Sequence, residues 1–335
     1  MVVKKVLAVA AVIFLFAAVN LFMYFTLTRR LANNFGSASS LKMVDVSGYL
    51  PFEEGSKLAR VEPDFGFGPE DDLPVLDGAA ALVPVYASVI ENLYPEGCVT
   101  YEGGAFSDDN KYGENFAPDS AMQYHNTIRG FNALVDGDVD IFFTAHPSAD
   151  QLSYADEKGV ELEIVPIGLE AFVFFVNAKN PVEGLTSEQV RSIYRGEIKN
   201  WRQVGGPDKM INPLTRVAGS GSQTMMDRFM GTADPVKRHP LSVLGGSIGY
   251  SFRYYLTGMV GDEKVKMLAL DGIYPDEESI RNGTYPLTAQ FYAVYRKDNA
   301  GPEVKQVVEW LLSKEGQTMI EECGYVGLID REYDF

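Results

Sequence analysis

The stretch "TRVAGSGSQTMMDRFM", residues 215–230, combines residue types that can bind an anion. Arg216 stands four residues before Ser220, and Gly-Ser-Gly-Ser leads into a run that is typical of a helix. The first N–H groups of a helix lack internal acceptors and lie at the positive end of its dipole. Glycine lets a loop wrap closely, and an arginine can grip two oxygens of one anion. The pattern predicts an anion site; the alternative is a serine-capped helix with a solvated arginine.

A second predicted helix start could also bind an anion. In "VLDGAAALVPVY", residues 75–86, a strand ends at Asp77 and Gly78 and a helix begins within three alanines. An anion can accept hydrogen bonds from such N–H groups when small side chains let it approach. The alternative is an ordinary turn between a strand and a helix. Two such helix starts in different lobes predict an anion held in a cleft between them.

Strand and helix patterns alternate along the chain, and this alternation must position both helix starts. Three segments read as strands: "DVDIFFTA", "EAFVFFVNA" and "TAQFYAVYR". Thr186 with Gln189 forms a capping box, and a helix from Pro302 is expected to stop at Gly324. Such alternation predicts an α/β fold with mainly parallel sheets. The part of the chain after the linker is longer than one core usually serves, so two α/β lobes are expected.

Composition excludes several classes of function. The chain has 335 residues, 46% of them hydrophobic, and a formal net charge of −17. This charge disfavours nucleic acid as a partner and means that local donors must hold any bound anion. Three scattered histidines lack metal-ligand spacing, and no cofactor is predicted. Cys98 and Cys323 either pair in an oxidising compartment or are two buried thiols.

The first 30 residues predict a signal-anchor, that is, one transmembrane helix. Residues 6–28 carry no charge and are flanked by lysines before and arginines after. This run is longer than the apolar region of a secretory signal peptide, which is the alternative. Residues 31–72, rich in Gly, Ser, Pro and acidic residues, are expected to form a linker, and the globular body is expected to begin at Leu73.

One enzyme motif is rejected. "GGSIG", residues 245–249, matches the G-x-S-x-G pattern of a hydrolase nucleophile. That fold needs its histidine after the serine, whereas His125, His146 and His239 all precede Ser247. We therefore expect no enzyme.

The motifs together resemble a known family. The chain from about residue 73 to 330 resembles the type II periplasmic-binding-protein superfamily, and within it the PstS-like phosphate-binding components of ABC phosphate importers. The segments that carry the resemblance include "DGAAALVPVYASVIENLY", "GDVDIFFTAHPSADQ", "RVAGSGSQTMMDRFM" and "NGTYPLTAQFYAVYRKD". It implies two α/β lobes, joined by two crossing strands, that close on an oxyanion in the cleft between them. On this basis residues 73–170 with 284–335 are assigned to lobe 1, and residues 171–283 to lobe 2.

The resemblance also implies a set of ligand contacts. From lobe 2 the matching positions are Arg216, Ser220, Gly221 and Ser222. Ala80 and Ala81 match a lobe 1 loop in which hydroxyl residues often stand, so here only backbone N–H groups can contribute. Thr127 falls where the family has a ligand-contacting Ser or Thr.

One position departs from the family pattern. Characterised phosphate binders place an aspartate just after the strand that matches "DVDIFF", and that acid accepts a proton from the ligand and rejects fully ionised anions such as sulfate. This chain has His146 near the matching position, and Asp150 comes too late. Selectivity through ligand protonation is therefore in question, although His146 is retained as a candidate contact.

Two functions remain open. The first is an extracytoplasmic solute-binding protein, tethered to the membrane, that delivers an oxyanion, phosphate above others, to an ABC permease. The second is a membrane-tethered sensor or cell-surface interaction protein whose ligand has changed or been lost. The retained Arg216, Ser220 and Ser222 favour the first function, whereas the alanine loop and the missing aspartate favour the second.

Overall fold

The computed structural model describes residues 14–23, 46–105, 113–216, 218–231, 236, 245–261 and 263–328. The strands are β1 (Leu76–Gly78), β2 (Tyr101–Ala105), β3 (Gly113–Phe116), β4 (Ile141–Ala145), β5 (Leu162–Asn177), β6 (Gly184–Leu185), β7 (Ile211–Pro213), β8 (Gly246–Phe252), β9 (Val265–Met267), β10 (Ala269–Leu270) and β11 (Thr288–Arg296). The helices are α1 (Val83–Leu93), α2 (Asn126–Asp136), α3 (Ala149–Lys158), α4 (Ser187–Tyr194), α5 (Gly221–Met230), α6 (Glu277–Arg281), α7 (Pro302–Leu312) and α8 (Lys314–Glu322). Residues 14–23 are also helical.

Strand β5 joins the two lobes. Its first part pairs with β11 through Ala171, and from Phe172 onward it pairs with β8. The strand order along this path is β1-β4-β11-β5-β8-β7, and β9 also pairs with β5. The change of partner within one strand places β1, β4 and β11 on one side of the molecule and β7, β8 and β9 on the other.

The sheet is mixed, so the expectation of mainly parallel sheets is wrong. Strands β1 and β4 are parallel, as are β7 and β8. The pairs that involve β5 and β11 are all antiparallel. These two strands are the predicted apolar runs, and each enters the sheet in the direction opposite to that of its neighbours. An apolar run has the same composition in either direction, so composition does not set strand direction.

Each lobe has its own hydrophobic core. In lobe 1, α1, α7 and α8 pack around β1 and β4, and Tyr86 lies against Phe143 with ring centroids 5.7 Å apart. A smaller cluster under α2 and α3 extends this core. In lobe 2, Phe172, Phe174 and Trp201 lie in a second core around β5, β7 and β8.

Residues 46–72 differ from the linker that the sequence predicts. Val46, Tyr49 and Phe67 are buried in the lobe 1 core. The backbone N–H of Ala59 donates to Ser88 Oγ at 3.0 Å, and the chain here runs beside α1. Most charged residues of this segment face solvent, which explains its polar composition. Its few apolar residues hold it against the lobe 1 core.

Most predicted helix starts are confirmed, but one helix is interrupted. Thr186 forms the expected capping box with Gln189, and Pro302 begins α7. The run predicted to continue to Gly324 breaks at Ser313, which ends α7 and caps α8. A Cβ atom at Gly316 would lie 2.0 Å from the carbonyl oxygen of Trp310, so glycine is required where the two helices meet.

The two cysteines are free thiols. Cys323 is buried and Cys98 is half-buried. Burial raises the pKa of Cys98 to about 11 and that of Cys323 to about 12, so both thiols are protonated at neutral pH. Of the two alternatives for this pair, the structure has the thiols.

Most of the predicted signal-anchor, as well as residues 31–45 of the predicted linker, lies outside the described residues. Among the residues that are described, none of the helices is both long enough and apolar enough to cross a membrane.

Candidate functional site

A cavity lies between the two lobes. It has an empty volume of about 360 Å³, part of it open to solvent. Its walls come from both lobes, from the strands that cross between them, and from the C-terminal segment. The lining residues are Ala79, Ala81, Leu82, Ala145, Glu170, Gly221, Phe252, Gln290, Phe291 and Tyr325.

The lobe 1 wall is the turn that connects β1 to α1. Ala79 donates its N–H to Phe143 O at 2.8 Å, which fixes the turn to the end of β4. Ala80 and Ala81 begin a 3-10 turn that runs into α1, so no earlier turn accepts from their N–H groups. Ala81 lines the cavity, and Ala80 packs partly against the lobe 1 core. Of the two predicted alanines, Ala81 lines the cavity and Ala80 precedes it in the same turn, and neither has a hydroxyl.

The lobe 2 wall is the N-terminus of α5. Ser220 is the N-cap residue, and its Oγ accepts from Gln223 N at 3.3 Å. Gly221 and Ser222 are the first two helical residues; Gly221 lines the cavity and Ser222 is buried. The capped helix that the sequence allowed is present, and its first N–H groups are at the cleft. Capping uses the Ser220 hydroxyl as an acceptor, which leaves its proton able to donate to an anion.

The loop before α5 also contacts lobe 1. Gly219 has a φ of +78°, which glycine adopts without strain. A Cβ atom at this position would lie 3.0 Å from Ile128 Cδ1, on the first turn of α2. The N-terminal turns of α2 and α5 therefore approach each other across the boundary between the lobes.

Arg216 is half-buried beside the same loop. Its backbone N–H is 3.1 Å from both Gln223 Oε1 and Tyr250 Oη, which folds the loop against α5. Its guanidinium lies 5.9 Å from the ring centroid of Tyr255. No carboxylate of the described residues comes within 4.0 Å of the guanidinium nitrogens. Arg216 lines a smaller pocket, with Tyr250 and Gly249, rather than the main cavity. Among the described residues its charge is not neutralised by an ion pair.

The turn that contacts Arg216 belongs to the boundary between the lobes. Residues Tyr255–Val260 form a π-helical turn, a rare form that often occurs at functional sites. This turn contacts the Ala80–Leu82 turn of lobe 1. The ring of Tyr254 lies 4.6 Å from that of Tyr325, centroid to centroid.

Thr127, predicted as a ligand contact, lies in the first turn of α2. Its N–H donates to Asn126 Oδ1 at 2.7 Å, and its carbonyl accepts from Gln151 Nε2 at 3.2 Å. The residue is buried and is next to Ile128, but it is not among those that line the cavity. Thr127 is therefore the chain neighbour of Ile128, which meets the Gly219 loop, and its own role in binding stays a prediction.

His146 does not join the cavity. It is exposed, and its ring stands edge-on to Tyr292 at a centroid distance of 5.5 Å. Its Nδ1 lies 3.2 Å from Arg228 Nη2, which also donates to Pro147 O at 3.2 Å. Arg228 is on α5 of lobe 2, so His146 takes part in a contact between the lobes rather than in the anion site. Its ring is engaged with Arg228 and Tyr292, and this is the physical reason for dropping it as a ligand contact.

Glu170 is the main residue that sequence reasoning missed. It lines the cavity, is only 3% exposed, and accepts from the N–H of Ala171 at 2.8 Å and of Tyr254 at 3.1 Å. Burial raises its pKa to about 7, although Arg253 and the backbone donors act against that rise. The sequence did contain a sign of this residue, the carboxylate at the start of the apolar run "EAFVFFVNA". A charged residue in a buried strand is costly, so its presence indicates a structural or functional role.

A buried acid also supports the start of α2. Asp77 is fully buried in β1, and its Oδ2 lies 2.7 Å from Nδ1 of His125, the residue before α2. The hydrogen bond to Asp77 raises the pKa of His125. The pair joins β1 to α2, and both elements lead to the cleft.

The structure supports neither a catalytic serine in the "GGSIG" motif nor a metal site among the described residues. Ser247 of the "GGSIG" motif lies inside strand β8 and accepts from Asn212 Nδ2 at 3.2 Å, rather than standing on a turn between strand and helix. In the part of the chain that is described, no group of three or more His, Cys, Asp or Glu side chains could hold a metal ion.

Comparisons with known proteins point to one family. The model of the PBP superfamily domain matches residues 115–315. The phosphate-binding protein PstS of Bacillus subtilis is 26% identical over 230 residues, which cover 65% of this chain and 74% of that protein. PstS of Borreliella burgdorferi is 25% identical over 218 residues, covering 59% and 76% respectively.

Solved structures show the same fold. A putative phosphate ABC transporter substrate-binding protein with bound phosphate from Clostridium perfringens superposes with a TM-score of 0.57 at 22% identity. The superposition covers 76% of this chain and 99% of that chain. An ABC-type phosphate transport receptor from Vibrio cholerae gives a TM-score of 0.51 at 22% identity, with the same two coverages.

Proposed function

Because the chain belongs to the PBP superfamily, we propose that it is a solute-binding protein that captures phosphate in the cleft between its lobes. The observation that carries this proposal is the juxtaposition of Ala81 and Gly221 on opposite walls of one cavity. Each lies in the first turn of a helix, where N–H groups can donate to an anion. The relatives from Bacillus subtilis and Borreliella burgdorferi are named as phosphate-binding proteins, which supports phosphate as the ligand.

The proposed anion contacts come from both lobes. Lobe 2 supplies Arg216, the Ser220 hydroxyl, and the N–H groups of Gly221 and Ser222. Lobe 1 supplies the N–H groups of Ala80 and Ala81, with Thr127 in support. With a net charge of −17, long-range attraction would not draw an anion in, so these local donors must supply the affinity.

The proposed setting is the outside of a cell membrane. Residues 6–28 carry no charge and would serve as a single-pass anchor, with the globular body on the extracytoplasmic side. Hinge closure around the anion would present the closed form to an ABC permease. We assign residues 73–170 with 284–335 to lobe 1 and residues 171–283 to lobe 2, and add residues 46–72 to lobe 1 because they pack on its core.

Thermal unfolding against a panel of oxyanions tests the proposal. The full chain in detergent is heated with phosphate, sulfate or other oxyanions at one ionic strength. Phosphate at a hundred times its dissociation constant is expected to add about 2.7 kcal/mol of stability. A shift with another anion alone would replace phosphate as the ligand. No shift with any anion would favour the second candidate, a tethered sensor or interaction protein, which the alanine-only turn at Ala80 and Ala81 supports.

The contact between Arg228 and the loop after β4 gives a further prediction. Arg228 reaches Pro147 O and His146 from the opposite lobe. In the proposed hinge cycle this contact would stabilise the form in which the lobes meet. Replacing Arg228 with Ala is expected to remove about 1 kcal/mol of this stabilisation, less than the roughly 1.5–3 kcal/mol of hydrogen bonds to charged groups because the contact is exposed. Phosphate affinity measured by calorimetry is expected to fall roughly fivefold. Wild-type affinity in Arg228→Ala would mean that the contact forms equally in the open form.

A further inference from the structure

A buried phenol from the C-terminal segment reaches the lobe 1 wall of the cleft. Tyr325 is 2% exposed and lines the cavity together with Ala81. Its hydroxyl donates to the carbonyl oxygen of Ala81. Burial raises the pKa of Tyr325 well above its ordinary value, so the phenol keeps its proton around neutral pH. A hydroxyl has a single proton, and the Ala81 carbonyl takes it, so Tyr325 has none left to donate to an anion.

The turn that Tyr325 holds is the one whose N–H groups are proposed to bind the anion. The N–H of Ala79 donates to the end of β4, and the N–H of Leu82 donates to Ala79 O, both at 2.8 Å. The peptide unit between Ala81 and Leu82 is therefore held at both ends. Its N–H is bound by Ala79 and its carbonyl by Tyr325. Between these fixed points lie the N–H groups of Ala80 and Ala81, which the start of a helix leaves without internal acceptors.

The ring of Tyr325 is fixed in turn by three strands or their ends. Its centroid lies 4.6 Å from that of Tyr254, which follows β8, and 5.2 Å from that of Phe291 on β11. The next residue, Val326, pairs with Leu169 of β5 through two backbone hydrogen bonds of 2.7 and 3.2 Å. The phenol oxygen therefore has little freedom to move away from the Ala81 carbonyl.

The residue before Tyr325 sets the direction from which the ring enters the cleft. Gly324 has a φ of +88°, and a Cβ atom there would lie 2.5 Å from the ring of Tyr254. Only glycine adopts this conformation without strain and leaves that space open. The carbonyl of Gly324 accepts from Arg253 Nη2 at 2.6 Å. The chain on both sides of Tyr325 is thus held by residues outside the alanine turn.

We propose that Tyr325 is a positioning residue for anion binding, which sets the direction of the backbone donors in the Ala80–Leu82 turn. This inference rests on the proposed function. Alanine side chains carry no donor, so what lobe 1 contributes through this turn depends on where its peptide N–H groups point. Donors that are already ordered bind more tightly, because less conformational freedom is lost when the anion arrives.

A purely structural role for Tyr325 makes a different prediction, and a second tyrosine of lobe 1 provides the comparison. Tyr94 is 6% exposed, and its hydroxyl donates to Pro74 O at 2.9 Å. It is not among the residues that line the cavity. Loss of either hydroxyl removes the same kind of bond, from a phenol to a backbone carbonyl, so the pair separates an effect on stability from an effect on binding.

Calorimetry of the full chain in detergent, with inorganic phosphate, tests this inference. Tyr325→Phe keeps the ring and its contacts but removes the donor. We expect its phosphate affinity to fall about tenfold, close to the loss of one hydrogen bond to a charged group. Tyr94→Phe should bind phosphate as the wild type does, although both variants should unfold at a lower urea concentration. Equal phosphate affinity in Tyr325→Phe and the wild type would overturn the inference.

A magnetic resonance measurement shows whether the change lies in the turn. Alanine labelled with ¹³C at the carbonyl, combined with ¹⁵N-leucine, selects the peptide units 81–82, 133–134 and 269–270. Without phosphate, Tyr325→Phe should move the resonances of unit 81–82, because its carbonyl has lost a donor, and leave those of the other units in place. Tyr94→Phe should match the wild type in all of them. An unmoved unit 81–82 in Tyr325→Phe would overturn the inference even if the affinity had fallen.

A donor restored at the same place gives a second variant. The residue 4-aminophenylalanine at position 325 keeps the ring and carries an N–H group where the phenol O–H stands. Phosphate affinity should return most of the way to the wild-type value. This variant also serves if Tyr325→Phe does not fold, because the buried Ala81 carbonyl keeps a partner. Binding about tenfold weaker than the wild type, with wild-type resonances for unit 81–82, would overturn the inference.

Failure of the proposed function would look different. A wild-type chain that does not bind phosphate overturns phosphate capture itself. A wild-type chain that binds phosphate, with affinity unchanged in Tyr325→Phe, leaves phosphate capture standing and overturns only the role of Tyr325.

Discussion

Replacing Arg216 with Ala is expected to weaken phosphate binding roughly 150-fold. Two charge-assisted hydrogen bonds from one guanidinium contribute about 3 kcal/mol, taking the lower figure for each bond. Nothing in the described residues neutralises this guanidinium within ion-pair distance, so its charge is available to the anion. Isothermal calorimetry with inorganic phosphate at fixed ionic strength measures the loss.

Two further variants of the same lobe sharpen this test. Arg216→Lys keeps the charge but cannot make two parallel hydrogen bonds, so it should also bind weakly. Arg202→Ala removes an exposed arginine that lies 3.5 Å from Asp208, and it should bind phosphate as the wild type does. Unchanged affinity in Arg216→Ala would refute the proposed site.

Replacing Trp201 with Ala is expected to lower the free energy of unfolding of lobe 2 by about 3–5 kcal/mol. The indole is fully buried, and its N–H donates to Gly246 O at 3.0 Å. A Cβ atom at Gly246 would lie 2.9 Å from the indole nitrogen, so the strand packs directly on the ring. Loss of the ring leaves a cavity and removes the side-chain donor to the Gly246 carbonyl at the start of β8.

The loss of stability in lobe 2 should also weaken the proposed anion site, because β8 holds the segment that leads to Arg216. Leu214, two residues before Arg216, donates its N–H to Ile248 O of β8 at 2.9 Å. Urea unfolding, monitored by the circular dichroism of the backbone because the variant lacks one indole, measures the change in the free energy of unfolding. Trp201→Phe keeps most of the buried ring and should lose less than half as much. A cost below about 1 kcal/mol for Trp201→Ala would mean that the lobe collapses readily around the missing ring.

Features that depend on neighbouring residues were predictable from sequence. Ser220, Thr186 and Pro302 stand at the helix starts expected for them, because a cap is a contact between residues about three positions apart. The apolar runs of β5 and β11 were recognisable as strands for a similar reason. The candidate site followed in part, since Ala81 and Gly221 each belong to a helix start and both line the cleft.

Features that depend on distant partners were not predictable in the same way. The antiparallel direction of β5 and β11 and the packing of residues 46–72 on α1 both depend on what the chain meets after folding. His146 followed a strand as expected, yet it faces Arg228 on the other lobe rather than the cavity.

Two helix N-termini with small residues, an arginine beside one of them and two α/β lobes were all recognisable from the residues alone. That these N-termini share a cavity, and that Glu170 lines it too, became visible in the folded chain. Capping and periodicity are interactions between residues close together in the chain, so a short segment is enough to reveal them. The surroundings of a buried carboxylate are set by segments far apart in the chain. Glu170 contacts Tyr254 and Arg253, and shares a cavity with Gly221, only in the folded chain.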